Sequence, residues 1–286
     1  MLQEAGIEVK GNPFKRRLTE AEIIAHLEGV DGLIAGLEPL NRKVLESAHP
    51  RLKVLARVGI GMNNVDHEAA RELGIAVSNT PEGPTAAVAE LTLTALLTLA
   101  RRLVSTNAAL HRGEWKKEIG MGLSGTKVLL IGYGRIGRRV GELLHAFDAE
   151  LLILDPFLDQ GGLLSGERLV TLDEGLAEAE VISLHASGQD CLLDAAAFSK
   201  MRAGVLILNS ARGELVSEDA LVQALDSGKV GGAWFDAFWK EPYEGPLTQY
   251  DQVLLTPHVG TYTKQCRLGM ESQAVKNLLR DLGPRG

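Results

Sequence analysis

Apolar positions along the chain alternate between short runs and helix-spaced stripes. Gly6 to Lys10 and Gly32 to Ala35 read as strands, Thr19 to Leu27 as a helix with Thr19 at its N-cap, and Leu52 to Val58 as a strand. Glu68 to Leu73 reads as a helix and Ile75 to Asn79 as a strand, and after Thr80-Pro81 one long helix is predicted from about Thr85 to Ala109. Val128 to Ile131 suits a buried parallel strand. Val140, Leu143, Leu144 and Phe147 then recur at helical spacing, and Leu151 to Leu154 forms a second strand that finishes at Asp155. Further runs at Arg168 to Thr171, Val181 to His185, Val205 to Asn209, Gly231 to Phe235 and Val253 to Thr256 precede a helix from Gln265 to Leu282. Such alternation specifies an α/β protein. Its second part predicts a doubly wound parallel sheet, whose ligands lie beyond the carboxyl ends of the strands.

The strand at Val128 to Ile131 runs directly into Gly132-Tyr133-Gly134-Arg135-Ile136-Gly137, a G-x-G-x-x-G turn that opens the next helix. Gly132 permits a sharp turn, Gly134 lets a pyrophosphate approach the backbone, and Gly137 lets helix pack on strand. The helix amino terminus adds unpaired N–H groups and partial positive charge. Asp155 lies 23 residues after Gly132, where a carboxylate accepts hydrogen bonds from ribose hydroxyls and repels a 2′-phosphate. Strand, glycine turn, helix, strand and terminal acid together predict a dinucleotide site that prefers NAD to NADP, with Gly132, Gly134, Arg135, Ile136, Gly137 and Asp155 as its cofactor-binding residues.

Composition narrows the class of partner. The 286 residues suit two domains, and a formal charge of −7 argues against general affinity for nucleic acid or anionic membrane. Two cysteines without C-x-x-C spacing indicate neither a disulfide scaffold nor a zinc site, so no metal is expected. The amino terminus has no apolar signal-peptide core, and the apolar stretch from Val88 to Leu99 is too short to span a bilayer. A cytoplasmic location is the expectation.

Three polar residues follow strand ends of the predicted sheet: Arg212, Glu241 and His258. Beside a nicotinamide this set suits hydride exchange with a 2-oxo acid. A guanidinium holds a carboxylate through paired hydrogen bonds, an imidazolium delivers a proton to the carbonyl oxygen, and a carboxylate fixes the imidazole tautomer and raises its proton affinity. His185 also ends a strand and is the rival acid, but no carboxylate follows it in the right place; it is read as a cofactor-side contact.

Arg57-Val58-Gly59-Ile60-Gly61 with Asn64-Val65-Asp66, Gly113-Glu114-Trp115, GYGRIG, Asn209-Ser210-Ala211-Arg212-Gly213, Asp236-Ala237-Phe238 with Glu241-Pro242, and Thr256-Pro257-His258-Val259-Gly260 occur in that order. The set resembles the D-isomer-specific 2-hydroxyacid dehydrogenases along nearly the whole chain, most of all the phosphoglycerate dehydrogenase branch. The resemblance implies two doubly wound lobes. One is a flavodoxin-like substrate lobe lacking its usual first strand, at residues 1–80 and 264–286; the other is an NAD-binding Rossmann lobe at 81–263. It implies Arg212, Glu241 and His258 as catalytic residues, Asp236 as a contact to the nicotinamide amide, and Val58 to Gly61 as a loop whose N–H groups hold the substrate carboxylate. Arg57, with Lys15-Arg16-Arg17 adding charge, would face the substrate's anionic end. A homodimer through the cofactor lobe is implied, with the helix near residues 85–109 and Trp115 at its interface.

The chain departs from that pattern in two places. His185 to Asp190 is shorter than the family loop that begins H-x-P-L-T, and MLQEAG reads as the tail of a helix with no strand ahead of it. The second departure carries the expectation that Met1 is not the natural start or that this lobe is loosened. The function expected is NAD-dependent interconversion of a D-2-hydroxy acid and its 2-oxo acid, with 3-phosphoglycerate as first substrate. Glyoxylate or hydroxypyruvate reduction is the alternative within the class. An NAD(H)-binding scaffold resembling the family's corepressors, or an inactive relative, is the alternative outside it.

Overall fold

A computed structural model describes residues 1–188 and 190–283; Gln189, in the short loop after His185, and residues 284–286 at the end of the expected substrate lobe lie outside them. The chain divides into two units, Met1–Pro84 with Tyr262–Gly286, and Thr85–Thr261. In the first unit the elements run α1 (Glu20–His26), β1 (Gly32–Ala35), α2 (Arg42–Ala48), β2 (Val54–Arg57), α3 (His67–Glu72) and β3 (Ala76–Ser78), with a three-stranded parallel sheet in the order β1-β2-β3. Thr19 caps α1 as its sequence predicts. Its hydroxyl accepts from Glu22 N–H while the Glu22 carboxylate accepts from Thr19 N–H. Leu33, Leu45, Leu52 and Leu55 pack with Ile23 of α1 and with Leu27 at its C-cap into one core.

The strand expected at Gly6 to Lys10 does not form. Residues 7–10 have no regular structure, Val9 is exposed, and only Ile7 and Val9 supply an apolar alternation, too little to hold a strand that meets no sheet edge. The helical tail read at MLQEAG is a series of turns.

The second unit contains α4 (Pro84–Ala100), α5 (Leu103–His111), β4 (Lys127–Ile131), α6 (Arg135–His145), β5 (Glu150–Leu154), β6 (Glu167–Leu169), α7 (Leu172–Glu178), β7 (Val181–Leu184), α8 (Ala195–Lys200), β8 (Val205–Asn209), α9 (Glu218–Asp226), β9 (Val230–Phe235) and β10 (Val253–Leu255). Its seven parallel strands are ordered β10-β9-β8-β7-β4-β5-β6, so the order reverses between β4 and β7. Buried side chains cover both faces of this sheet, Leu129, Ile182 and Ile207 on one and Leu130, Val181 and Trp234 on the other. The chain then returns to the first unit with α10 (Lys264–Leu282), whose Leu278 lies against Gly32 and whose buried Asn277 donates to Asn79 O at 3.0 Å.

The single long helix expected from Thr85 to Ala109 is two. Arg102 adopts φ 51°, and the Ala100 carbonyl accepts from Met121 N–H at 2.7 Å instead of from the next helical turn. Gly120 makes this possible, because a Cβ there would lie 2.5 Å from Ala100 O. Among the described residues no helix is long and apolar enough to cross a membrane.

Candidate functional site

The strand-order reversal of the second unit puts the glycine turn at the carboxyl end of β4, where a doubly wound sheet opens a crevice. Gly132 has φ +91°, and a Cβ on it would meet Ala186 N at 2.5 Å; one on Gly137 would meet Gly132 O at 2.1 Å. These two glycines are required by the protein's own packing. Gly134 is different. It has an ordinary φ of −72°, nothing lies within 4 Å of its Cβ position, and it begins α6 without a side-chain cap. The open space and the uncapped N–H groups fit a bound diphosphate. Asp155, at the end of β5, accepts from Tyr133 N–H at 2.7 Å and from Phe157 N–H at 2.9 Å. A carboxylate has further lone pairs, so ribose hydroxyls can still be received. Arg135 and Ile136 are the first two residues of α6.

Arg212, Glu241 and His258 follow the carboxyl ends of β8, β9 and β10, neighbours in the sheet. His258 Nδ1 meets both Glu241 oxygens, at 2.9 and 3.0 Å. That bond raises the His258 pKa against the opposing effect of burial, with smaller support from Asp236 and opposition from Arg212. Burial pushes the Glu241 carboxyl up, but the bonds from His258 and Phe238 N–H outweigh it and its pKa falls. The imidazole is half exposed, leaving a polar edge open to a reactant. His258 itself has φ +53°, an uncommon conformation for a residue with a Cβ.

Asp236 holds that conformation. Buried at the end of β9, it accepts from Thr256 Oγ1 at 2.6 Å, Val259 N–H at 2.8 Å and Gly260 N–H at 2.8 Å, clamping both sides of His258. Beside it the turn at Arg212 is shaped by buried Asn209, whose amide donates to Arg212 O at 2.7 Å and whose oxygen accepts from Ala211 N–H at 3.0 Å. His185 ends β7 with its Cβ 3.7 Å from the position a Gly137 Cβ would take. Burial pulls its pKa down to about 4, which keeps the ring neutral, and its Nε2 lies 2.9 Å from Ser183 Oγ.

In the first unit, Arg57 is buried at the end of β2, and its guanidinium folds over Gly59 onto Val58 O. Of the loop N–H groups, Val58 donates to Ala35 O at 2.9 Å and Gly59 to Thr80 Oγ1 at 2.7 Å. Those of Ile60 and Gly61 meet no protein acceptor among the described residues. Sequence reading missed Thr80 and Asn79, which donates to Ile60 O at 2.9 Å. It also missed Glu167, which accepts from the Tyr133 hydroxyl and so anchors the glycine turn from β6. Each is an ordinary polar residue in sequence, and only the fold reveals its partner. Among the described residues no cluster of three or more His, Cys, Asp or Glu side chains is disposed to hold a metal ion.

A parallel sheet with this reversal, glycine turn and terminal acid defines a Rossmann dinucleotide-binding unit. The model of the D-isomer specific 2-hydroxyacid dehydrogenase NAD binding domain matches residues 93–260, and the chain belongs to that family. It is 35% identical over 280 residues to D-3-phosphoglycerate dehydrogenase of Rattus norvegicus, covering 95% of this chain and 52% of the relative. The chain spans about half the length of the curated relatives it matches. Among solved structures, a protein from Thermus thermophilus superposes with a TM-score of 0.92 at 37% identity, covering 98% of this chain and 92% of that one. A glyoxylate reductase from Paecilomyes thermophila superposes at 0.86 with 28% identity, over 97% and 88% of the two chains.

Proposed function

We propose that the protein is an NAD-dependent D-2-hydroxyacid dehydrogenase in which Arg212, Glu241 and His258 are the catalytic residues. The observation that carries this reading is the two-oxygen contact of Glu241 with His258 Nδ1 at the carboxyl edge of the Rossmann sheet. Residues 81–263 are the cofactor domain, and residues 1–80 with 264–286 the substrate domain. When bound, NADH would supply the hydride for reduction and NAD+ would accept it in the reverse direction. The protein's own groups do the rest. Arg212 holds the substrate carboxylate and polarises the neighbouring carbonyl, and His258 gives a proton to the carbonyl oxygen through Nε2, or takes it from the alcohol in the reverse direction. Glu241, fixed on Nδ1, sets the tautomer and stabilises the imidazolium.

Cofactor would be held by the N–H groups of the Gly134–Gly137 turn and by Asp155, with His185 and Asp236 as further contacts. Val58 to Gly61 is the substrate loop. With Val58 and Gly59 already donating elsewhere, Ile60 and Gly61 are its available N–H donors, and Arg57 brings positive charge for a second anionic group. That charge, with the likeness to phosphoglycerate dehydrogenases, supports 3-phosphoglycerate as first substrate. Likeness to a glyoxylate reductase supports glyoxylate or hydroxypyruvate as the other choice.

The test is NADH oxidation by the purified chain with 3-phosphohydroxypyruvate, hydroxypyruvate, glyoxylate and pyruvate, each beside His258→Ala. Turnover that depends on His258 supports the enzyme and names its substrate. Retained NADH binding with no turnover on any acid defeats the reading and favours a scaffold. Exposed Leu103, Val104 and Leu110 of α5, with Trp115 at 83% and Ile119 at 94% exposure, support self-association as a homodimer through the cofactor domain.

A further inference from the structure

The loop that bears Glu241 is fastened to the turn that bears Arg212 at three separate points. Gly213 is the first. A Cβ there would lie 2.3 Å from both Phe238 C and Trp239 N, so the two backbones touch where only glycine fits. The second is the Trp239 indole N–H, which donates to Val216 O at 2.7 Å. The third is the Tyr243 hydroxyl, which donates to Glu218 Oε1 at 2.5 Å and accepts from Leu247 N–H at 3.1 Å. Gly245 leaves room for that hydroxyl, since a Cβ on it would lie 2.4 Å away.

The aromatic rings reinforce these ties. Phe235 stacks on Trp239 with centroids 5.4 Å apart, and Phe238 stacks on Tyr243 at 4.5 Å. Glu241 stands at the bend between the members of the second stack, with Phe238 N–H also donating to its Oε1 at 3.3 Å. A loop pinned on both sides of one residue leaves that residue little choice of position. Its carboxylate is where the stack puts it.

We propose that Trp239 and Tyr243 are positioning residues: by tying residues 238–247 to residues 212–218 they hold the Glu241 carboxylate on His258 Nδ1 and in register with the Arg212 turn. Neither residue need touch a reactant to do this. The consequence for turnover rests on the dehydrogenase reading above, whereas the consequence for His258 does not. The charged groups facing His258 are Glu241, Asp236 and Arg212. Asp236 is fixed by its own three bonds, so a slack 238–247 loop withdraws Glu241 alone. A role confined to packing would lower stability without changing the charge state of His258.

The test is proton NMR titration of His258 in the 286-residue chain, its signal assigned by its loss in His258→Ala. Wild type is compared with Tyr243→Phe, which keeps the ring and deletes the hydroxyl, Trp239→Phe, which deletes the indole N–H, and Glu241→Gln, which sets the limit. The midpoint should fall in both aromatic variants toward that of Glu241→Gln, by about half a unit or more. The alkaline limb of NADH-dependent reduction should move with it. Should Trp239→Phe fail to fold, Tyr243→Phe decides. A wild-type midpoint in folded Tyr243→Phe overturns the proposal. A wild type that binds NADH but reduces no 2-oxo acid defeats the dehydrogenase reading and leaves the titration to decide the clamp.

Discussion

Proton affinity at the site is set chiefly by one contact, that of His258 Nδ1 with Glu241. The His258 pKa is raised, so reduction, which uses the imidazolium, should be constant at lower pH and fall as pH rises through that value. Oxidation, which uses the neutral ring, should rise over the same interval. Initial rates in both directions across pH measure this. Stability follows the same pair. Glu241 contributes above its unfolded value of about 4.3, losing the contribution as pH falls through its lowered folded value, and His258 contributes below about 6.5, losing it as pH rises through its raised one. The melting temperature of wild type should therefore exceed that of Glu241→Gln by most between about pH 4.5 and 6.5. His258→Ala should lower kcat by about 10² to 10⁴, the usual worth of a general acid, while Arg212→Ala should raise KM as well. Rates with saturating NADH check both. The placement of Arg212, Glu241 and His258 at one sheet edge was legible because each follows a strand end. Thr80, Trp239 and Tyr243 were not, since hydroxyl and aromatic side chains are common and their roles depend on partners far along the chain.

Elements show where sequence pattern suffices. A run such as Val205 to Asn209, bounded by Gly204 and the turn at Arg212, can only be a buried strand, and it is β8. The break between α4 and α5 had no such sign, because its cause is a carbonyl taken by Met121 and a glycine that lets the chain pass close. Within the glycine turn, Gly137 and Gly134 should separate by experiment. Gly137→Ala drives a Cβ against the Gly132 carbonyl and should lower the melting temperature along with cofactor affinity. Gly134→Ser fills open space and supplies α6 with a capping hydroxyl, so thermal stability should hold or rise by up to about 1 kcal/mol while NADH affinity drops. Calorimetry beside fluorescence titration of NADH reads the two effects apart. Equal loss of affinity and stability in Gly134→Ser would count against the open space as the diphosphate seat.

For the whole molecule, two α/β units were legible from the alternation of runs, and the second unit's strand order agrees with a doubly wound sheet. The strand expected at Gly6 to Lys10 was misread because alternation over two apolar residues says nothing about whether a neighbouring edge exists. Self-association belongs to this scale. Leu110→Asp on the apolar face of α5 should halve the mass seen by light scattering if the chain dimerises there, and an unchanged mass would move the interface elsewhere. The return of α10 to the first unit has a consequence for how the protein is made. Residues 85–261 emerge from the ribosome as a continuous segment and can close their core at once. The first unit begins sooner but must wait for Leu278 to cover Gly32. Against the usual rule that domains mature in the order of synthesis, the unit translated first is completed last.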